Sequence, residues 1–238
     1  MFRFLQGCYR ASQIKHTRTG HARSFRLGVE LLEGRLVPST ISAVSWQSGG
    51  VIHHALYAIG SDDAVYVNVD ATGYTNLGGY ALAISAGLDA VGNPEVYAIG
   101  TDHAVYVNRG SGYTNLGGYA LQISATVQDT VYAIGTDHAV YENAGGGGYT
   151  NLGGYALAIS ASLDVAGNLQ VFAIGSDNGL YLNQGGGFIG LGGYARQVAA
   201  PTVGVGVPGD VAYVVGSDHA GYLNQGGVYT GLGGYIQG

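Results

Sequence analysis

Of the 238 residues, 44 are glycine and 19 are tyrosine; only 10% are charged, while 47% are hydrophobic. A disordered chain would be charge-rich and short of apolar residues, collagen would need a strict three-residue glycine period, and helix interiors disfavour glycine, so composition leaves an all-β protein. The net charge of −6 joins two unlike parts, since seven of the nine Lys and Arg lie in the first 35 residues, and the chain from Ser39 onward holds only Arg109 and Arg196 against thirteen acids, or 2 − 13 = −11.

Residues 1–38 read as a basic leader, unrepeated and poor in glycine. Basic residues interrupt its apolar stretches, which argues against a Sec-type signal. Its end, Val29-Glu30-Leu31-Leu32-Glu33-Gly34-Arg35-Leu36-Val37-Pro38-Ser39, resembles the L-E-x-L-E-x-R-x-x-P-S sorting segment of certain bacterial secreted and cell-surface proteins. Glu30, Leu32, Glu33, Arg35, Pro38 and Ser39 match, and Val29 stands in place of the first Leu. That resemblance implies export, to the medium or the cell surface; a plain basic leader is the alternative. The one cysteine, Cys8, also lies here, so the rest of the chain has no thiol nucleophile, disulfide or Cys-based metal site. No apolar run reaches the ~18 residues of a membrane-spanning helix.

From Ser39 onward the chain repeats. Leu-Gly-Gly-Tyr recurs at Leu77, Leu116, Leu152, Leu191 and Leu232, in steps of 39, 36, 39 and 41 residues. Each copy closes a unit of four predicted strands. Strand a is Ile-Ser-Ala (Ile41, Ile84, Ile123, Ile159), with Val198-Ala199-Ala200 in the fifth unit; it is small and apolar, as a crowded inner position requires. Strand b is of the type Val96-Tyr97-Ala98-Ile99-Gly100, strand c of the type Ala104-Val105-Tyr106-Val107-Asn108, and strand d of the type Gly112-Tyr113-Thr114-Asn115-Leu116. β-branched and aromatic residues fill the strands, and Gly, Asp and Asn punctuate them. Four strands every ~40 residues is the period of a β-propeller. The expectation is therefore an all-β, five-bladed β-propeller over residues 39–238, with units near 39–80, 81–119, 120–155, 156–194 and 195–238. Blade 5 is expected to close on blade 1 through packing and edge contacts.

Connection lengths divide the two ends of such a ring. Strand a to strand b takes between 8 and 15 residues, whereas the strand-b aromatic to the Leu of Leu-Gly-Gly takes 19 or 20 in every unit. In an antiparallel meander the a–b and c–d connections share one end, and b–c and d–a share the other. Length variation thus falls on one face, and a repeated binding site belongs on the uniform face or in the clefts between blades beneath it.

Three sets of repeated residues are candidates for ligand contact. Asp62, Asp102, Asp137, Asp177 and Asp218 stand in the b–c turns, where a carboxylate either grips a ligand hydroxyl or caps its own turn. Asn68, Asn108, Asn143, Asn183 and Asn224 end strand c, sharing a strand face with a tyrosine two residues before, and either face a ligand or pack between blades. Tyr74, Tyr113, Tyr149, Phe188 and Tyr229 open strand d beside glycine-rich turns, as ligand platforms or as inter-blade core. Histidines at the b–c turn occur in three units only, a whole blade apart, which does not make a convergent metal site; His53-His54 sits in a variable loop without an evident partner. No metal or cofactor is expected. The G-x-G-x-x-G string at Gly204 lacks a following helix and is no dinucleotide site.

The unit V-[YF]-A-I-G-[ST]-D-x-A-V-Y-x-N … G-Y-x-x-L-G-G resembles the tectonin-like and bacterial fucose-lectin-like propeller repeats over about 195 residues. The resemblance implies carbohydrate binding in shallow, equivalent pockets between blades. It departs from those lectins in carrying Tyr or Phe where they often place Trp; the single Trp46 lies near the first a–b loop. The reading is a non-catalytic, multivalent, lectin-like propeller whose partners are glycans and not nucleic acid, since an acidic body repels phosphates. A secreted or surface scaffold using the variable a–b loops is the alternative. Five-fold redundancy of the acids argues against an enzyme.

Overall fold

The computed structural model describes residues 41–201 and 210–236; the leader and its sorting motif lie outside the described residues. Blade 1 comprises β1 (Ile41–Ser48), β2 (Val51–Ile59), β3 (Val65–Val69) and β4 (Tyr74–Gly78), and blade 2 comprises β5 (Ala81–Leu88), β6 (Pro94–Gly100), β7 (Val105–Asn108) and β8 (Tyr113–Gly117). Blade 3 holds β9 (Ala120–Ala125), β10 (Thr130–Gly135), β11 (Val140–Ala144) and β12 (Tyr149–Gly153). Blade 4 holds β13 (Ala156–Leu163), β14 (Leu169–Gly175), β15 (Leu180–Asn183) and β16 (Phe188–Gly192). Blade 5 holds β17 (Ala195–Ala199), β18 (Val211–Gly216), β19 (Gly221–Gln225) and β20 (Val228–Gly233). Each sheet is an antiparallel meander in sequence order, and the first strands of successive blades lie side by side. The chain is a five-bladed β-propeller. Among the described residues no helix is long and apolar enough to cross a membrane.

Turn chemistry explains the repeat motif. At the b–c hairpin Gly60 N donates to Ala64 O (2.8 Å) and Asp63 N to Gly60 O (3.0 Å), leaving Asp63 at φ 62°. The equivalent residues are His103, His138, Asn178 and His219, all with positive φ. Asp, Asn and His are the non-glycine residues that best tolerate this left-handed conformation, which is why they alternate there. At the other motif, both glycines of Leu-Gly-Gly take positive φ (Gly78 76°, Gly79 79°), and the register slips by one residue opposite them. This β-bulge, held by Gly78 N donating to Asn76 Oδ1 at 2.6 Å, leaves Leu77 unpaired on the strand and packed into the core.

The core is divided by junction. Four buried clusters each join two consecutive blades, around Tyr57 and Val65, Tyr97 and Val105, Tyr132 and Val140, and Phe172 and Leu180. A hydroxyl ladder ties the inner strands: Ser42, Ser85, Ser124 and Ser160 each accept, through Oγ, the backbone N–H of Ala86, Ala125, Ala161 and Ala200 in the next blade, at 2.8–2.9 Å. The strand-a serine, expected only to be small, is thus the hydrogen-bond acceptor of each junction. Blade 5 carries Ala199 at this position. Its outward face is open: Tyr213 is 48% exposed, against 0% for Tyr97 and Phe172. The matching face of blade 1 is open too, with Tyr74 57% exposed. Four junctions are packed, and the edge contacts expected between blades 5 and 1 are not among the hydrogen bonds of the described residues.

At the variable end, His53 lies in β2 and not in a loop; its ring stacks on Trp46 and its Nδ1 meets Asp70 Oδ2 at 2.7 Å. Arg109 spans Glu95 (2.8 Å) and Asp129 (2.9 Å), and Tyr97 donates its hydroxyl to Glu95. Burial pushes the Glu95 carboxyl up, against the opposing pull of the Tyr97 hydrogen bond and Arg109.

Candidate functional site

Each b–c turn fixes a carboxylate on a tyrosine. Asp102 Oδ1 accepts from Ala104 N (3.1 Å), completing the turn, and its Oδ2 accepts from the Tyr106 hydroxyl (2.8 Å). The same pair forms as Asp62–Tyr66, Asp137–Tyr141, Asp177–Tyr181 and Asp218–Tyr222, at 2.6–2.9 Å. One oxygen of each aspartate thus caps its own turn, and the other is held by a phenol. The tyrosine hydrogen bond, foremost, holds each of these carboxyls below its usual range, so they stand as carboxylates, and it raises the tyrosines in return. Glycine at the end of strand b makes the pairing possible. A Cβ on Gly100 would stand 2.7 Å from Asp102 Oδ1 and 2.8 Å from the Tyr106 ring.

The strand-d aromatics reach across the junction. Tyr113 lies beneath Gly79 of blade 1, 3.2 Å from where a Cβ would project, and Tyr149 lies likewise beneath Gly118 and Phe188 beneath Gly154. Tyr229 takes the same place beneath Gly193 and donates its hydroxyl to Gly192 O at 2.7 Å. The hydroxyls of Tyr113 and Tyr149 are buried without partners, and burial pushes both up to about 12.

These parts enclose a cavity at each of three junctions, of about 290, 300 and 350 Å³. The first is walled by Tyr80, Tyr106 and Tyr113, floored by Val65, Ala81 and Ala98, and edged by Thr101 and Asp102. Corresponding residues line the second, with Tyr119, Tyr141, Tyr149 and Asp137, and the third, with Tyr155, Tyr181, Phe188 and Asp177. All three open at the end that carries the b–c and d–a connections. The tyrosine of Leu-Gly-Gly-Tyr, exposed in every unit, was not singled out from the sequence; its recurrence in all five units was the available signal. His103 stacks on Tyr119 and His138 on Tyr155, both at 4.4 Å, fixing those walls from behind.

The structure thus brings Asp102, Asp137 and Asp177 together with Tyr113, Tyr149 and Phe188, one pair to each cavity, whereas Asp62, Asp218, Tyr74 and Tyr229 line none of these three. It places the asparagines elsewhere, at the far end of strand c. Asn108 Oδ1 accepts from Gly110 N (2.7 Å), and Asn183 and Asn224 cap their c–d turns similarly. Asn143 is buried with both side-chain atoms unpartnered, and Asn68 Oδ1 is buried and unpartnered. Among the described residues no group of three His, Cys, Asp or Glu is placed to hold a metal ion.

A small apolar floor, aromatic walls and one hydroxyl-bearing, ionised rim form a pocket suited to an uncharged polyhydroxylated ring. Its C–H faces would pack on tyrosine, and its hydroxyls would donate to the carboxylate. No protein-family model and no curated protein matches the chain. Solved structures do match in fold. The chain aligns with human WBSCR16 at a TM-score of 0.54 and 8% identity, over 72% of its own length and 58% of that chain. It aligns with the SapL1 lectin, solved with α-methyl fucoside, at a TM-score of 0.58 and 19% identity, over 84% of its own length and 81% of that chain. It aligns with the fucose-recognising lectin of Aleuria aurantia, a six-bladed β-propeller, at a TM-score of 0.52 and 16% identity, over 85% and 80% of the two chains. Such identities speak for the fold alone, and the fold they share with this chain is the β-propeller.

Proposed function

We propose that the protein is a non-catalytic, multivalent carbohydrate-binding propeller whose sites are the inter-blade cavities at the uniform end. The observation that carries this reading is the repetition of one constellation, a Tyr–Asp pair facing an aromatic ring across a Gly-Gly bulge, at successive junctions. Lectins among the structural neighbours support it, and make fucosylated glycans the first ligands to try. Each aspartate is pinned by a backbone N–H and a phenol, which suits a fixed acceptor better than a proton shuttle. A shallow site of this kind is worth ~mM affinity, about −4 kcal/mol. Several on one rigid frame raise avidity ~100-fold on a glycan-coated surface. Export by the leader fits this role; deleting residues 1–38 in the native host and following the protein by fractionation tests it.

The binding test is a glycan array with the full chain, followed by calorimetry with methyl α-fucoside. Tyr113→Ala is expected to remove about one binding equivalent, and Asp102→Asn to weaken that same site. A blank array, with no heat from any common monosaccharide, overturns the reading in favour of a protein-interaction scaffold acting through the variable a–b loops.

A further inference from the structure

A cavity of a different kind lies at the opposite, variable end, where the inner strands of blades 1, 2 and 3 approach their a–b connections. Its volume is about 330 Å³, and its walls include residues that follow the strand-a serine: Val44 and Ser45, Gly87 and Leu88, Thr126 and Val127. Backbone hydrogen bonds fasten two of these walls together, Leu88 N donating to Thr126 O (2.9 Å) and Asp129 N to Leu88 O (3.2 Å). Glycine permits that approach, since a Cβ on Gly87 would collide with Thr126 O. The two polar residues of the lining depart from the repeat. Ser45 stands where blades 2, 3 and 4 place Leu88, Val127 and Leu163. Thr126 has its counterpart in Ser162, but the Ser162 hydroxyl accepts from Gln170 Nε2 at 3.0 Å, whereas the Thr126 hydroxyl, in a residue 1% exposed, has no partner. A buried hydroxyl left unpaired is costly, and a ligand acceptor would satisfy it. Ser45 Oγ lies 2.8 Å from His54 Nδ1, and Asp70 braces that strand by accepting the His54 N–H (2.8 Å) and meeting the His53 ring (2.7 Å).

We propose that this cavity binds a short acyl chain bearing an uncharged carbonyl, an amide or an ester. The carbonyl oxygen accepts from the hydroxyls of Ser45 and Thr126, and the chain lies on Val44, Ala86, Leu88 and Val127. With the ring proton on Nδ1, His54 donates to Ser45 Oγ and leaves the serine hydroxyl to donate to the ligand. Charge selects the neutral head. Asp70 and Asp129 belong to the surrounding hydrogen-bond network, Arg109 is already engaged by Glu95 and Asp129, and the chain from Ser39 onward carries −11, so a carboxylate is repelled. The volume stands at the lower end of the ~300–1,000 Å³ of small-molecule sites, which keeps the chain short. The site is separate from the glycan cavities, which open at the other end, and does not depend on them.

The probe is N-methylhexanamide, titrated into the full chain by calorimetry with and without methyl α-fucoside. One equivalent of equal affinity is expected in both. N-methylbutanamide, two methylenes shorter, should bind about tenfold more weakly, and hexanoate should bind more weakly than the hexanamide. Thr126→Val and Ser45→Ala each lose one hydroxyl with little change of shape and should weaken the hexanamide about fivefold. Ser45 is exposed, so Ser45→Leu, which gives blade 1 the residue of blades 2 and 4, should leave the fold intact, fill the cavity and abolish binding. No heat from N-methylhexanamide, or heat that Ser45→Leu leaves intact, overturns the site. Hexanoate binding as tightly as the amide overturns the neutral head, and undiminished binding by Thr126→Val overturns the part given to that hydroxyl.

Discussion

Replacing Ser85 by Ala isolates the hydrogen bond that joins inner strands. The change removes one oxygen and leaves a side chain of nearly the same shape, so cavity and strain effects are small. What it leaves behind is the Ala125 N–H, 2.8 Å from the lost Oγ and part of a residue only 6% exposed. An unsatisfied buried donor costs about 1–3 kcal/mol; a water reaching the vacated position would offset part of this, so about 1.5 kcal/mol is expected. For a domain of this size that is a fall in melting midpoint of about 3–6 °C, read by calorimetry. Ser124→Ala orphans the buried Ala161 N–H and should behave alike. Ser42→Ala and Ser160→Ala orphan the half-buried Ala86 and Ala200 and should cost less. The reasoning fails if Ser85→Ala leaves the midpoint within a degree of wild type, or if Ser42→Ala is the most damaging of the four.

Gly100→Ala forces its new methyl against Asp102 and the Tyr106 ring, so it should cost about 1–3 kcal/mol and remove ligand binding at the first cavity, as calorimetry on the variant would show. Arg109→Met strands the fully buried Glu95 carboxylate and is expected to cost about 3 kcal/mol in urea unfolding, most of it restored by Glu95→Gln in the same chain. The turn aspartates titrate below their usual range when folded, so their contribution is complete above the unfolded value near ~3.9 and is lost as pH falls through the folded one. The melting midpoint should fall as pH drops below about 4, and Tyr→Phe at all five partner positions, which brings the folded titration up toward the unfolded one, should lower the midpoint at neutral pH and shrink that acid fall; an acid fall of unchanged size in that variant would remove the tyrosine hydrogen bond as its cause.

What the sequence made legible was whatever recurs with a fixed spacing. Leu-Gly-Gly marked the bulge because two successive positive φ angles leave glycine as the fitting residue, and Asp followed by His, Asn or Asp marked a hairpin with a left-handed residue. Blade count and the uniform end followed from those markers alone. The asparagines were harder to place, since alternation along strand c puts Asn108 and Tyr106 on one face of the sheet but is silent on which end of the strand a side chain serves. The serines of strand a were read as merely small, because their acceptor role depends on a partner some forty residues away in the next blade. His53 was assigned to a loop because β2 is two residues longer than its counterpart β6, and the hydrogen bond to Asp70 that holds it there joins two positions with no repeat to announce them.

Since the aspartate of each cavity comes from one blade and the glycine bulge from the blade before, a lone unit of some forty residues possesses no complete cavity at all. Copying a unit in tandem adds a cavity only at the new boundary, and adds it ready-made from halves that both flanking units already carry. Growth of such a gene by duplication therefore multiplies contact points without any fresh substitution, while the connections at the opposite end stay free to lengthen or shorten.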